Sequence, residues 1–224
     1  MKRLDFLHSL KSPLPNAILE KYPRGHIMQF WGADPGLYSA SYGQHDDYHL
    51  YLGGHAGIDI FTFYDDEVRA AHDGTVLPIF TDPKLPGGIG VWIQSPNLDE
   101  ETPGNSQIWT AYCHLKDFVV KEGQAVKQGD LLGHLGNTGF VVSGNIAYWG
   151  NAPSEKGAHL HFGLYEYVWK NGALVSRFTN PMMNSEDPLP YLTGNLSGLQ
   201  IVLRNMAALL AKWTGRSAPP SPSL

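Results

Sequence analysis

GAHLHFGLYEY, residues Gly157–Tyr167, alternates residue by residue between side chains suited to a core and side chains suited to an open surface. Successive side chains of a β-strand point to opposite faces, so Leu160, Phe162 and Leu164 share one face and His159 and His161 the other. The strand therefore fastens to a core behind it and turns two imidazoles to the front. Same-face Cβ atoms two residues apart lie about 6.6 Å from each other. That spacing suits two ligands of one ion, or one ligand beside one proton-transferring base.

Outward from this strand the chain continues to read as β. GGIGVWIQSP and QIWTAYCHL are two further strands, joined by the polar, turn-rich connector PNLDEETPGNS. Strict alternation in TAYCHL places Tyr112 and His114 on the open face and the single cysteine, Cys113, in the core. From His55 to Phe80, strand-like runs break at Tyr64-Asp65-Asp66 and at Asp73-Gly74, the latter a hairpin signal. VVKEGQAVKQGDLLGHLGNTG repeats valine, glycine and polar residues at the spacing of tight turns, with glycine supplying positive φ at the corners. FVVSGNIAYWGNAPSEK, residues 140–156, is a long aromatic-containing loop that delivers the histidine strand and suits a groove wall.

Composition agrees. Glycine (25), proline (16) and aromatics (12%) are plentiful and charged residues sparse (17%), as in a domain of many short strands. The net charge of −5 leaves no basic footprint for nucleic acid or an anionic membrane. No stretch approaches the roughly 20 apolar residues of a membrane span. The opening MKRLDFLHSLKSPLPN lacks the continuous apolar core of a signal peptide.

The expected organisation is an extended, loop-like segment over residues 1–50, packed on a mainly β, antiparallel domain over residues 51–192. Leu199, Val202, Leu203, Met206, Leu210 and Trp213 form an amphipathic stripe that predicts a helix over 193–214. The Pro/Ser tail 215–224 reads as disordered. A monomer is expected.

The chemistry lies in two constellations, His55-Ala56-Gly57-Ile58-Asp59 and His159-Leu160-His161. Hydrolytic zinc sites use three protein ligands from His and carboxylate and leave the fourth position for water. On a straight strand His55 and Asp59 would be about 13 Å apart, too far for one ion, so the chain must bend between them, and Gly57 offers the bend. His55, Asp59 and one histidine of the pair make three ligands. The other histidine is left to address the water.

The ordered series GGHAGID, AAHDGTV, AYCHL, VKEGQAVKQGDLLGHLGNTG and GAHLHFGL, from about Gly53 to Leu164, resembles the lysostaphin/LytM-type zinc endopeptidases. These enzymes cut peptide bonds in bacterial cell-wall peptidoglycan. The resemblance implies their duplicated hybrid motif fold, an antiparallel sheet flooring a substrate groove walled by loops. It implies one Zn2+ held by His55, Asp59 and His161, with His114 and His159 as catalytic histidines. Tyr112, Tyr148 and Trp149 are candidate substrate contacts, although Tyr148 and Trp149 equally suit anchoring their loop. The implied partners are peptidoglycan peptides, and the implied place of action lies outside the cytoplasm. With no export leader recognised, delivery by a phage or a secretion system is the other route.

Other histidines read more plainly. His72 precedes a turn, His134 lies on a turn surface, and His8 and His26 carry no assigned role. His45, Asp46, Asp47 and His49 form a second cluster, either a solvated loop or a further metal site. A catalytically silent scaffold of the same fold is expected to have lost ligands, and all three are present. A biotinyl/lipoyl-type carrier needs a lysine in a tight turn, which neither Lys121 nor Lys127 provides.

Overall fold

The computed structural model describes residues 1–33, 53–99, 105–144, 146–153, 155–180 and 182–192. A short helix, α1 (Arg3–His8), precedes β1 (Ile27–Gln29), β2 (Ile58–Ile60), β3 (Glu67–Arg69), β4 (Gly74–Val76), β5 (Ile89–Gln94) and β6 (Ser106–Phe118). Then come β7 (Ala125–Val126), β8 (Leu131–Leu135), β9 (Val141–Ser143), β10 (Ile146–Tyr148), β11 (Leu160–Lys170), β12 (Ala173–Ser176) and β13 (Ser185–Glu186). The predicted helix over 193–214, the tail 215–224 and the His45, Asp46, Asp47, His49 cluster lie outside the described residues.

The architecture is the mainly antiparallel β fold expected. One sheet runs β1-β2-β11-β6-β5-β4-β7; β12 and β13 also pair with β11, and β3 reaches β6 through β8. Its backbone is the long pairing of β11 with β6, from His161↔Cys113 to Val168↔Ser106. Behind it lies one apolar cluster including Leu160, Phe162, Leu164, Ile58, Ile60, Val91, Ile93 and Ile108. The alternation read from Gly157–Tyr167 is thus realised on β11: the even-numbered residues from Leu160 to Leu164 are fully buried.

Three local expectations change. Residues 1–33 are not all extended, because Arg3–His8 is helical. That helix and the chain after it add Phe6, Leu7, Leu10, Leu14 and Leu19 to the shared core. Arg3 also reaches the carboxylate of Glu166, fully buried on β11, donating from Nε at 2.6 Å. Secondly, Asp73-Gly74 does not turn β3 into β4. β4 pairs with β5 and β7, and β3 with β8. Gly74 is needed for space, since a Cβ there would sit 2.4 Å from the Gln94 carbonyl oxygen. Thirdly, the loop over 140–156 contains the β9–β10 hairpin. In the turn-rich stretch Gly123 and Gly129 do adopt positive φ, 76° and 90°.

Candidate active site

Register assembles the site. Asp59 on β2 pairs with His161 on β11, which pairs in turn with Cys113 on β6. Directly paired residues share a face, so the row Asp59–His161–Cys113 crosses the front of the sheet. His55 precedes β2 in a loop fixed by two main-chain bonds: Gly32 N–H to the His55 carbonyl (2.8 Å) and His55 N–H to the Ala33 carbonyl (3.0 Å).

Three donor atoms converge. His55 Nε2 lies 2.8 Å from His161 Nδ1 and 3.0 Å from Asp59 Oδ1, and His161 Nδ1 lies 3.1 Å from Asp59 Oδ1. A triangle with these sides has a circumradius of about 1.7 Å, so a point about 1.1 Å out of its plane is equidistant from all three donors at the 2.0–2.1 Å of zinc–ligand bonds. Two nitrogens and one carboxylate oxygen on one side, with the opposite side free of a fourth donor from this group, fit Zn2+ with an open position. His55 Nδ1 lies 3.2 Å from the Phe30 carbonyl, which can only accept. The proton therefore sits on Nδ1 and Nε2 keeps its lone pair for a metal.

His159 contributes no atom to this triangle. Its Nε2 stands 3.6 Å from the other Asp59 oxygen, Oδ2, and its Nδ1 donates to the Gly157 carbonyl at 2.7 Å. His114 is held the same way, Nδ1 donating to the Thr138 carbonyl at 2.7 Å. The two rings lie 4.6 Å apart, and His114 lies 6.1 Å from His161. Two imidazoles thus stand beside the triad, each anchored to main chain through Nδ1.

The electrostatics follow from burial and crowding. Burial opposes the Asp59 charge, but His55, His159 and His161 around it outweigh that and hold its carboxyl well below the usual carboxylate range. Burial, reinforced by the neighbouring His159 and His161, pushes His114 well below the usual imidazole value. Burial lowers His161 as well, against its hydrogen bond to the Asp59 carboxylate. An ionised Asp59 beside a His161 imidazole lowered toward its neutral form is the combination that metal ligation requires.

Glycine matters at one point in the loop, for space as well as for the bend. Gly57 has no positive φ; a Cβ there would meet the Phe162 carbonyl oxygen at 2.5 Å and His161 Nε2 at 2.9 Å. The chain bends at Ala56-Gly57, just before β2, as expected, and Gly57 also leaves room for the His161 ring.

The expectations on β6 are corrected. The pairing of β5 with β6 slips between Ile89↔Leu115 and Val91↔Tyr112, so β6 carries one extra residue opposite Gly90. This bulge, with His114 at φ 61°, breaks the alternation. Cys113 is not in the core but on the front beside His161, half-buried, its thiol pushed up to about 12 by burial and then by Asp59. Tyr112 is no substrate contact. It pairs with Phe162 on the buried face, is fully inaccessible, and accepts a hydrogen bond from Ala71 N–H at 2.8 Å.

Tyr148 ends β10, half-buried, and Trp149 packs on Phe140 within the same hairpin at 4.7 Å. His72 is buried between the Asp73 carbonyl (2.8 Å) and Thr110 Oγ1 (2.9 Å). His134 bonds Asp117 at 2.6 Å, and with Asp65 these form a second His/Asp group, in which Lys116 already engages Asp65 at 2.8 Å. The carbonyls of Phe30, Gly157 and Thr138 that hold the site histidines gave no signal in the sequence, because a main-chain acceptor carries no residue identity.

Comparison with known proteins agrees. The sequence model of peptidase family M23 matches residues 53–176. The glycyl-glycine endopeptidase ALE-1 of Staphylococcus capitis is 31% identical over 143 residues, 62% of this chain and 29% of that protein. The chain thus spans less than a third of this relative's length. Among solved structures, the lysostaphin catalytic domain of Staphylococcus simulans aligns at 24% identity, covering 62% of this chain and 79% of that one, TM-score 0.39. A zinc-containing peptidase of Vibrio cholerae aligns at 23% identity over 67% of this chain and 35% of that one, TM-score 0.40.

Proposed function

We propose, from the premise that the chain belongs to peptidase family M23, that it is a zinc-dependent endopeptidase cutting peptide bonds in bacterial peptidoglycan, outside the cytoplasm. One observation carries this reading: the three-donor triangle of His55, Asp59 and His161, with two further imidazoles beside it. The similarity to a glycyl-glycine endopeptidase supports a stem-peptide or cross-bridge substrate.

His55, Asp59 and His161 would hold Zn2+, which supplies Lewis acidity and makes water a nucleophile near neutral pH. The chain's own residues do the rest. His114 and His159 both present Nε2, since both are anchored through Nδ1. One Nε2 takes the proton as water attacks and returns it to the leaving amine; the other, protonated, donates to the developing oxyanion. Burial around His114 strengthens each of these interactions by excluding water.

The test is zinc content together with digestion of purified walls. His161→Ala removes a donor atom and should lose the ion. His159→Ala should keep it while peptide release falls by about 10²–10⁴-fold. Equal loss of zinc in both variants would overturn the division of roles. Zinc-loaded wild type that frees no new amino groups from any wall type would overturn the reading itself.

A further inference from the structure

The front of the sheet does not end at the imidazoles. Past His161, β11 turns Gly163, Tyr165, Tyr167 and Trp169 to the same face. The facing positions are Ala111 and Trp109 on β6, and Trp92 on β5. The rings pack as two pairs, with Tyr165 buried and Trp92, Trp109 and Tyr167 half-buried. Trp92 lies 4.9 Å from Tyr165, and Trp109 lies 4.5 Å from Tyr167. Tyr165 folds back toward the site, and Gly163 makes room: a Cβ there would sit 2.8 Å from the Tyr165 ring. Trp169, at the far end, is 42% exposed. Eight residues of strand carry this face roughly 26 Å from His161.

Planar amides flank the rings. Gln94 Nε2 donates to Gln107 Oε1 at 2.7 Å, Gln107 Nε2 donates to Asn97 Oδ1 at 2.9 Å, and Trp109 Nε1 donates to Gln107 Oε1 at 3.3 Å. No residue that β5, β6 or β11 turns to this face beyond the imidazoles carries a charge.

We propose that this face binds the glycan of the wall polymer, as neutral N-acetylated hexose rings, while a peptide arm of the same polymer enters the metal site. The proposal rests on the peptidoglycan reading above and adds to it the part of the substrate held away from the cut. Three features select sugar over peptide. A pyranose offers an apolar C–H face to indole and phenol rings, and hydroxyl and acetamido groups to amides, matching an aromatic floor with a few convergent polar groups. An extended peptide is held chiefly by pairing its main chain with an open strand edge. β5, β6 and β11 are interior strands, with β11 paired to β2, β12 and β13 on its other side. Lastly, stem peptides bring carboxylates and ammonium groups, and the face offers neither charge to pair with them. The accessible rings lie on the strand that carries His161, from Tyr167 to Trp169, so one polymer can reach both.

The full chain is titrated with a soluble tetramer of N-acetylglucosamine, followed by ligand-observed NMR, and assayed on two substrates: glycan-bearing muropeptide and free cross-bridge peptide. Trp169→Ala, at the exposed end, and Tyr167→Ala should each weaken tetramer binding about tenfold. On the glycan-bearing substrate they should raise KM with little change in kcat, a loss exceeding that on free peptide by about the same factor. Thermal melting verifies that both variants fold. No tetramer binding by wild type, or equal losses on the two substrates, overturns the proposal; the second result would make the face a peptide site. Tetramer binding by wild type that cuts neither substrate would leave the platform standing and sink the endopeptidase reading.

Discussion

Replacing Gly57 by Ala tests the geometry of the metal triad without touching a ligand. The added methyl would lie 2.5 Å from the Phe162 carbonyl oxygen, 2.9 Å from His161 Nε2 and 3.0 Å from His161 Cε1. Ordinary C···O contact begins at about 3.3 Å, so some 0.8 Å must be found. The Phe162 carbonyl belongs to β11 where it pairs with Ile58 and Tyr112, and it cannot retreat without breaking the sheet. The backbone of residue 57 must therefore shift off that carbonyl, and the His161 ring, met at 2.9 Å, must give as well. Metal ligation tolerates about 0.2 Å of error in donor distance, less than the ring must move. Overpacking of this size costs about 1–3 kcal/mol of apo stability, and a misplaced ligand costs about 10–100-fold in zinc affinity. At a free zinc concentration of about 100 times the wild-type Kd, zinc stabilises the wild type by about 2.7 kcal/mol. The variant would gain only about 0.4–1.4 kcal/mol under the same conditions. Competition against a chromogenic chelator gives the affinity, and urea unfolding with and without zinc gives the linkage. A Gly57→Ala protein with zinc affinity within about twofold of wild type would refute the claim that this glycine exists to seat His161.

Two further outcomes follow from the corrected placements. Tyr112→Phe strands the buried Ala71 N–H and should cost about 1–3 kcal/mol in urea unfolding; KM for peptide should not move, and a shift in KM would return Tyr112 to the groove. His72 is lowered by burial to about 4 from an ordinary 6.5. The unfolded chain therefore takes up this proton first as pH falls, so the stability contributed by neutral His72 is complete above about pH 6.5 and lost progressively toward pH 4. That window amounts to about 3 kcal/mol at 1.36 kcal/mol per pKa unit. The stability difference between wild type and His72→Gln should shrink by that amount between pH 7 and pH 4; parallel pH curves would contradict it.

β11 was readable because its pattern has period two over many residues and one buried face, which fixes register strongly. The convergence of His55, Asp59 and His161 was readable because metal chemistry restricts residue identity. β6 was not. TAYCHL alternates as well as GAHLHFGL does, and nothing in its composition marks the bulge that lets Cys113 and His114 both face the front while Tyr112 faces the core. The bulge comes from the partner strand, where Gly90 stands opposite two residues, and from the contact of Gly87 with His114. The same holds for Asp73-Gly74, whose local turn signal lost to pairing of β4 with β5. Helix α1 is short, and its core-facing residues, Phe6 and Leu7, are adjacent rather than periodic. The front-face rings were visible letter by letter, yet their convergence needs the registers of β5, β6 and β11 together.

The bulge on β6 also explains how one site gathers five polar groups from a sheet. In a regular strand, Cys113 would occupy the front position opposite His161 and His114 would face the apolar cluster, where an imidazole has no partner. The extra residue rotates His114 to the front behind Cys113, at the cost of a left-handed backbone at a side-chain-bearing residue, about 1–2 kcal/mol. Two bonds offset it: His114 N–H to the Gly87 carbonyl at 2.8 Å and His114 Nδ1 to the Thr138 carbonyl at 2.7 Å. Glycine at 114 would relieve the backbone and delete the imidazole. The fold keeps the strain because this corner of β6 is where a side chain can stand beside both His159 and His161, at 4.6 and 6.1 Å. A histidine supplied from Tyr112's position would point into the core, and one from Cys113's would lie directly across from His161, crowding that ring. The irregularity in β6 is what sets the His114 imidazole beside His159 and apart from the His55, Asp59 and His161 group.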